Sequence, residues 1–378
     1  METLRALIRG DLSPAGNKIS LEQKPEAFDY TIEGYGVTWV DSGTSALALA
    51  LLDAKAKTPH IKFPKVIVPG YCCPDLVAAA VYAGVKPLVV DICIDDASYD
   101  LDVLATAVLD ENVIAVIAIN FLGIKERLSE IKQLLLNKPI KLIEDNAQWF
   151  PTSKDEHKFL GDYLLFSFGR GKPLSLLGGG VLFAKDALIV LQAVLDKPNP
   201  RSFSQNLKTH LYNFLLHPHL YCYLNRAPFL HLGETHYHQH HEIVGIGDLQ
   251  KEIFLANLER YEQRSNEVEH SYDQMFASHH LQYLNSIYSE RRLRLLRYPV
   301  LYKDAVQRTK LLAEFGAKGL GASPLYQRAL VEIPQILSLV DVYSELKNSS
   351  QFAARLLTLP THEKVAAKHF SRIQACLS

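Results

Sequence analysis

Short apolar runs alternate with helical patterns through the first half of this sequence, and this alternation is the feature that most restricts the fold. The predicted strands are Val66–Val68, Pro87–Asp91, Val113–Asn120, Ile140–Ile143, Leu164–Phe168 and Val181–Phe183, and the predicted helices are Leu47–Leu52, Asp75–Ala83, Asp102–Val108 and Leu128–Leu136. Strands that are apolar throughout and joined by helices are typical of parallel sheets. The sequence therefore predicts an α/β fold, with a mainly parallel sheet and helices on both faces.

The segment Gly161–Gly180 places one lysine, Lys172, in a glycine-rich turn. Ser167 stands five residues before this lysine, at the end of an apolar run, and Gly178–Gly180 follow before the next strand. A lysine amine on a tight loop can form a Schiff base with an aldehyde cofactor, while a hydroxyl and backbone N–H groups hold the phosphate of that cofactor. The three glycines indicate a close approach of the backbone where the loop returns to the sheet. Taken alone, the segment is also compatible with a solvated loop lysine.

Two upstream segments supply the other groups that such a cofactor needs. Asp145 follows the strand Ile140–Ile143, and the carboxyl ends of parallel strands are where open α/β sheets bind ligands. A carboxylate there can keep a pyridine nitrogen protonated. Ser42–Thr44 precede the helical run Ala46–Asp53 and offer hydroxyls and unpaired N–H groups to a phosphate. Each segment alone could be a strand-end acid or a helix cap, so the prediction depends on the combination.

These motifs resemble the DegT/DnrJ/EryC1/StrS family of pyridoxal-phosphate (PLP) enzymes, best known as sugar-nucleotide aminotransferases. The resemblance covers most of the chain, with one poorly matching region near residues 195–243. It is carried by SGTSALALALL, VIVPGYCCPDLVAAAVYAGVKPLVVDI, AVIAINFLG, IEDNAQ, GDYLLFSFGRGKPLSLLGGG, GDLQKEIFLANLERYEQR and LLTLPTHEK. It implies the fold type I of PLP transferases, with a large cofactor-binding domain over residues 1–245. A linking helix and a small C-terminal α/β domain would follow over residues 246–378.

The resemblance also implies a role for each matching site residue. Lys172 would be the Schiff-base lysine, and Asp145 would pair with the pyridine nitrogen, so both are predicted to be catalytic. The remaining predicted cofactor contacts are Gln148 at the ring phenolate and Gly43, Thr44 and Ser167 at the phosphate.

Two positions depart from the family pattern and bear on the substrate. Cys73, a predicted cofactor-binding position, falls where the family usually has an aromatic ring stacked on the cofactor, and Tyr71 could replace that ring only with a different local backbone. Ile243–Gly245 stand where the family usually has an Asn-Tyr-Arg-like segment that reaches into the site of the neighbouring subunit. These changes leave the PLP prediction intact and weaken the prediction of a nucleotide-linked sugar substrate.

The region 195–243 is rich in histidine and aromatic residues. Eight of the 15 histidines lie between His210 and His241, and closely spaced imidazoles can bind zinc. No carboxylate or thiolate accompanies them at a usual ligand spacing, so we interpret the cluster as a polar loop and predict no metal. The aromatic helix predicted over Leu211–Leu224 would leave a large apolar patch on a monomer, which favours a homodimer or larger assembly. A second long helix is predicted over Asp248–Phe276.

The overall composition excludes several other classes of protein. A net charge of −1 over 378 residues gives no electrostatic reason to expect a nucleic-acid partner. Five cysteines, an odd number without a signal peptide, favour a cytoplasmic enzyme over a disulfide-bonded scaffold. No apolar run is long enough to span a bilayer.

The predicted function is that of a PLP-dependent aminotransferase, with an amino acid such as glutamate as donor and a keto-sugar, possibly nucleotide-linked, as acceptor. One alternative is a different PLP reaction on the same scaffold, such as that of a lyase, a dehydratase or an aldolase. Another is a non-catalytic PLP-binding regulatory protein. The presence of Lys172, Asp145 and Gln148 argues against the second alternative, because a protein without catalysis has no need for this set.

Overall fold

An eight-stranded sheet forms the framework of the chain. The computed structural model describes residues 10–24, 30–153, 157–190, 203–225, 235–277 and 289–377. The strands there are β1 (Gly36–Val40), β2 (Lys65–Pro69), β3 (Lys86–Val90), β4 (Val113–Ile119), β5 (Lys141–Asp145), β6 (Tyr163–Ser167), β7 (Gly180–Ala184), β8 (Arg297–Leu301), β9 (Asp341–Val342) and β10 (Leu356–Pro360). The large sheet has the order β1-β7-β6-β5-β4-β2-β3-β9. Strands β8 and β10 form a separate antiparallel pair.

The large sheet is mainly parallel, as the alternation of strands and helices predicted. All neighbouring pairs from β6 across to β9 are parallel, whereas β7 is antiparallel to both of its neighbours, β1 and β6. Each of the six predicted strands is present, as β2 to β7, with its ends shifted by at most two residues. Strands β1 and β9 were not predicted from the sequence.

Helices connect and cover these strands. Those in the described ranges are α1 (Gly43–Ala56), α2 (Asp75–Ala83), α3 (Leu101–Ala107), α4 (Leu128–Leu134), α5 (Phe203–Leu215), α6 (Pro218–Asn225), α7 (Asp248–Gln263), α8 (Glu267–Ala277), α9 (Ala305–Ala317), α10 (Lys347–Arg355) and α11 (Ala367–Leu377). Successive residues of a strand point to opposite faces of a sheet. In β2, Val66 and Val68 belong to a buried cluster with α1 and α2, whereas Ile67 belongs to a cluster with α3 and α4. Helices therefore cover both faces, as predicted.

The C-terminal part of the chain has its own core but also joins the large sheet. The pair β8–β10 and helices α8 to α11 share one buried cluster. Strand β9 lies beside β3, where Leu88 pairs with Asp341. Next to this edge, the buried carboxylate of Asp91 accepts hydrogen bonds from the backbone N–H of Asn348 at 2.9 Å and from that of Ser349 at 2.9 Å. The start of α10 is thereby attached to the end of β3. The predicted domain boundary between residues 245 and 246 stays a prediction.

Two predicted long helices are each divided in the structure, so both predictions were wrong in extent. The helix predicted over Asp248–Phe276 ends at Gln263, because Arg264 adopts extended backbone angles. The hydroxyl of Ser265 then accepts a hydrogen bond from the N–H of Glu267 at 3.1 Å, in a local turn just before α8 begins at Glu267. The helix predicted over Leu211–Leu224 is divided between α5 and α6. Pro218 begins α6, and a proline, which lacks an N–H group, fits the first turn of a helix but not its interior.

The histidine-rich segment is only partly described. Residues 235–244 are non-helical, and residues 226–234, including His231, lie outside the described ranges. Among the residues that the structure describes, no three His, Cys, Asp or Glu side chains come together as a group that could hold a metal ion. Within the same ranges, no helix combines the length and the apolar character needed to cross a membrane.

Candidate active site

A cavity opens at the carboxyl ends of β4, β5 and β6. All seven predicted site residues line this one cavity: Gly43, Thr44, Cys73, Asp145, Gln148, Ser167 and Lys172. Parallel strands bring their carboxyl ends to one edge of the sheet, so Asp145 at the end of β5 and Ser167 at the end of β6 become neighbours. The structure thus unites residues that are up to 129 positions apart in the sequence.

One end of the cavity is formed by the first turn of α1. Helix α1 begins at Gly43, and its cap residue Ser42 accepts a hydrogen bond from the N–H of Ser45 through its side chain. A Cβ atom on Gly43 would lie only 2.6 Å from the Cβ of Ser167. The helix terminus, with its unpaired N–H groups, therefore lies directly against the Ser167 hydroxyl. A helix N-terminus beside hydroxyls favours a phosphate group.

The lysine loop returns to the sheet in close contact with this helix start. A Cβ atom on Gly180 would lie 2.4 Å from the carbonyl oxygen of Ser42, so the close backbone approach predicted from the three glycines is confirmed. The N–H of Phe168 donates to the carbonyl of Gly179 at 2.9 Å, which closes the base of the loop. Lys172 lies on this closed loop and is half-buried. Its amine is thus held at the cavity by a constrained backbone.

Asp145 is a buried residue of the cavity lining. One of its carboxylate oxygens accepts a hydrogen bond from the N–H of Ala147 at 2.9 Å. Burial raises the pKa of Asp145, and this effect exceeds the opposing effects of the Ala147 N–H and of the positive charge on Lys172. A cationic partner at this carboxylate would favour its charged form.

The backbone N–H of Leu122 determines the orientation of the Gln148 side-chain amide. The N–H of Leu122 can only donate, so the Gln148 oxygen Oε1 is the atom that accepts from it, at 2.7 Å. The amide nitrogen Nε2 then donates to the hydroxyl of Tyr326 at 2.9 Å. Tyr326 also lines the cavity. Sequence reasoning missed Tyr326, because it lies outside every motif and no local pattern distinguishes it.

Cys73 lines the cavity, and Tyr71 does not take over its position. Burial raises the pKa of the Cys73 thiol, and the charge of Asp75 adds to this effect, so the thiol is neutral. Tyr71 is buried and is not among the residues that line the cavity. Its hydroxyl lies within hydrogen-bonding distance of the carbonyls of Tyr326, at 3.0 Å, and Pro324, at 3.1 Å. Tyr71 therefore cannot supply the ring that position 73 lacks.

The segment around Ile243 packs against the sheet of its own chain. The N–H of Asp41 donates to the carbonyl of Val244 at 3.0 Å, and Val40 pairs with Gly245 as an isolated bridge. Ile243 is buried in the same apolar cluster as Val40. The side chain of Ile243 thus packs in the hydrophobic core, which explains why this position is apolar.

Comparison with known proteins shows the same family on both sides of one unmatched stretch. The model of the DegT/DnrJ/EryC1/StrS aminotransferase family matches residues 2–197 and 248–378. The residues between these two ranges largely coincide with the region 195–243 that the sequence analysis set apart. Among curated proteins, a sequence search finds no match.

Solved structures of similar fold include both aminotransferases and a dehydratase. An E. coli GDP-4-keto-6-deoxy-D-mannose-3-dehydratase with bound hydrated PLP has a TM-score of 0.67 and 16% identity, over 90% of this chain and 87% of that one. A protein described as a sugar aminotransferase from Streptococcus pneumoniae, in its PLP form, has a TM-score of 0.67 and 18% identity, over 100% and 94% of the two chains. An aminotransferase from Brucella abortus has a TM-score of 0.61 and 19% identity, over 90% and 84%. These similarities show the fold, and the family match over most of the sequence places this chain in the DegT/DnrJ/EryC1/StrS aminotransferase family.

Proposed function

We propose that this chain is a PLP-dependent aminotransferase that transfers an amino group from an amino acid such as glutamate to a keto-sugar. The observation that carries the proposal is that Lys172, Asp145 and the glycine-lined helix terminus at Gly43 all line one cavity. Structures of similar fold were solved with PLP bound, and the family is one of aminotransferases.

The residues of the cavity fit PLP at each of its functional groups. The first turn of α1 and the hydroxyls of Thr44 and Ser167 are suited to the phosphate. The Asp145 carboxylate is suited to the pyridine nitrogen, and the Lys172 amine to the aldehyde. Bound PLP supplies an electron sink for the negative charge that develops on a substrate carbon when it loses a proton.

The protein contributes charge placement and proton transfer. Asp145 is buried, so its interaction with a ring nitrogen is little screened by water and keeps that nitrogen protonated. The amine of Lys172, which lines the same cavity, would be the group that accepts a proton from a substrate carbon and later gives it back. The amide of Gln148, held by Leu122, orients the ring.

The first experiment tests the covalent attachment. The purified protein should absorb visible light after incubation with PLP, and borohydride should abolish this absorbance and leave the cofactor mass on the peptide that contains Lys172. Lys172→Ala should remain unlabelled. Lys185→Arg is the matched control, because Lys185 lies outside the cavity with its amine donating to the carbonyl of Leu160 at 3.0 Å. Label on Lys185, or on no lysine, would contradict the assignment of Lys172.

The second experiment tests amino transfer itself. Incubation with the correct donor amino acid should remove the visible absorbance and release one keto acid per cofactor. Asp145→Asn should retain PLP but lose most of this reaction, because an amide cannot keep the ring nitrogen protonated. Near-normal turnover of Asp145→Asn would show that another group holds the nitrogen. The departures at Cys73 and Ile243 lead us to expect weak use of common nucleotide-linked keto-sugars as acceptors.

A dehydratase reaction on the same site is the second candidate. It is favoured by the E. coli dehydratase, which has the same TM-score, 0.67, as the sugar aminotransferase. The two reactions differ in their product, because only transfer leaves nitrogen on the sugar. Mass spectrometry of keto-sugar incubations distinguishes them, and a nitrogen-free product that has lost one water would replace the aminotransferase proposal.

We also propose that the working unit is a homodimer, with α5 in the interface. Leu207, Leu211 and Phe214 recur at helical spacing on α5 and are 62%, 52% and 61% exposed, an apolar stripe that a second copy of this chain would cover. Leu211→Glu should shift the mass measured by light scattering to that of a 42.5 kDa monomer. Lys208→Glu, a charge change beside the stripe, should leave the dimer intact. A wild-type monomer with full cofactor occupancy would reject this assembly.

A further inference from the structure

Tyr326 reaches the cavity from the C-terminal part of the chain. It lies between α9 and β9 and lines the cavity together with Cys73 and Asp145. No motif of the sequence includes it. Its position therefore indicates a contribution to the site that the family resemblance does not assign.

The backbone of Tyr326 is held in place by Tyr71. The Tyr71 hydroxyl accepts from the N–H of Tyr326 at 3.3 Å and lies 3.0 Å from its carbonyl oxygen. The two rings make an edge-to-face contact with their centroids 5.4 Å apart. The preceding residue, Leu325, has a φ of 62°, a left-handed conformation that non-glycine residues rarely adopt and that tends to occur at functional sites. The backbone of Tyr326 is thus fixed by the hydrogen bond from its N–H to Tyr71 and follows a residue in the left-handed conformation.

The Tyr326 phenol oxygen accepts a hydrogen bond from Gln148. Because Gln148 accepts from Leu122 through Oε1, its Nε2 is the donor to the Tyr326 oxygen. The tyrosine oxygen is the acceptor in that bond, so its own proton is available to another partner. Burial raises the pKa of Tyr326, and the nearby Cys73, Cys72, Tyr71 and Asp145 add to this effect. The phenol is therefore neutral and keeps that proton.

We propose that Tyr326 is a cofactor-binding residue whose phenol donates a hydrogen bond to the ring phenolate oxygen of PLP, beside the contact that Gln148 makes through its second amide hydrogen. This inference rests on the proposed PLP function. The two side chains form a pair of donors on one anionic oxygen, one from the turn after β5 and one from the C-terminal part. Such a pair stabilises negative charge on that oxygen.

The test is a pH titration of the visible absorbance of the PLP-loaded protein. A donor to the phenolate favours the deprotonated form of the bound cofactor, so removing it should raise the apparent pKa of the absorbance change. We expect Tyr326→Phe to raise it by about one unit, a tenfold change in proton affinity, and to weaken PLP binding several-fold. Tyr298→Phe is the matched control, since its hydroxyl donates to Asp273 at 2.9 Å away from the cavity. It should lose stability without a shift in the titration.

Tyr326→His provides a second variant. Its ring keeps an N–H donor, so its apparent pKa should lie between those of the wild type and of Tyr326→Phe. If Tyr326→Phe does not fold, a Tyr326→His titration close to that of the wild type supports the inference, and one shifted upward by a full unit overturns it. An unchanged titration in a folded, PLP-loaded Tyr326→Phe protein overturns the inference alone. A wild-type protein that takes up no PLP overturns both this inference and the proposed function.

Discussion

Replacing Gly43 by alanine should perturb the phosphate end of the cavity and leave the rest of the cavity nearly unchanged. The new Cβ would lie 2.6 Å from the Ser167 Cβ, whereas ordinary contacts begin at 3.4 Å. The atom it meets is a Cβ, so no side-chain rotation relieves the clash, and the start of α1 and the end of β6 must move apart by about 0.8 Å. Overpacking of this kind costs about 1–3 kcal/mol.

A second effect should be on cofactor binding. Hydrogen bonds to a charged group contribute about 1.5–3 kcal/mol each, so displacing one phosphate contact predicts a 10- to 100-fold weaker dissociation constant for PLP. The assay is a titration of apo-protein followed by visible absorbance, with pyridoxal as a parallel ligand that lacks the phosphate. Gly43→Ala should weaken PLP binding and leave pyridoxal binding nearly unchanged.

Gly316→Ala is the matched control for this substitution. Gly316 lies in α9 with no atom within 4 Å of a Cβ, so alanine there should stabilise the protein by about 0.5–1 kcal/mol and leave PLP binding unchanged. Folded Gly43→Ala that binds PLP as tightly as the wild type would refute a phosphate site at the start of α1. Equal losses for PLP and pyridoxal would also refute it, because the damage would then not be at the phosphate.

Two further predictions concern stability. His362 is buried and neutral, with Nε2 donating to the Ser13 carbonyl at 2.9 Å. Burial lowers its pKa from 6.5 to about 4, so the unfolded chain binds the proton first. The contribution of His362 to the free energy of unfolding is therefore fully present above pH 6.5, and about 2–3 kcal/mol of it is lost as the pH approaches 4.5. Urea unfolding at several pH values should show this loss, and His362→Gln should reduce it. Asp91→Ala should lower the free energy of unfolding by about 3 kcal/mol or more, because N–H groups at the start of α10 lose their acceptor. The control Asp304→Ala, at an exposed helix cap, should lower it by about 1 kcal/mol. Similar losses in the two variants would contradict the anchoring role of Asp91.

The sequence was sufficient to predict the parallel core because its strands are buried on both faces. Strands β2 to β7 are buried over nearly their whole length, and Asp145 and Ser167 are the last residues of two of them. Strand β1 was missed because its first residues are exposed and its pattern is mixed. Strand β9 has two residues, too few for any periodic signal, and only its contact with β3 makes it a strand.

The remaining differences arise from interactions that no local pattern contains. The breaks at Arg264 and at Pro218 fall inside runs whose apolar spacing continues across them, so periodicity alone joined the helices. Tyr326 enters the site only through its contacts with Tyr71 and Gln148, which are separated from it by 255 and 178 residues. A position of this kind can be found only from tertiary structure.

The pairing of β9 with β3 determines when the sheet can be completed during synthesis. The adjoining contact joins Asp91 and Ser349, which are 258 residues apart, so the ribosome makes β3 long before its partner. N-terminal units begin to fold while the rest of a chain is still being translated. The β3 edge of the nascent chain therefore exposes unpaired backbone groups until the C-terminal end emerges, and open edges recruit strands from other molecules. A chain truncated before β9 leaves this edge unpaired and should therefore aggregate more readily than the full chain.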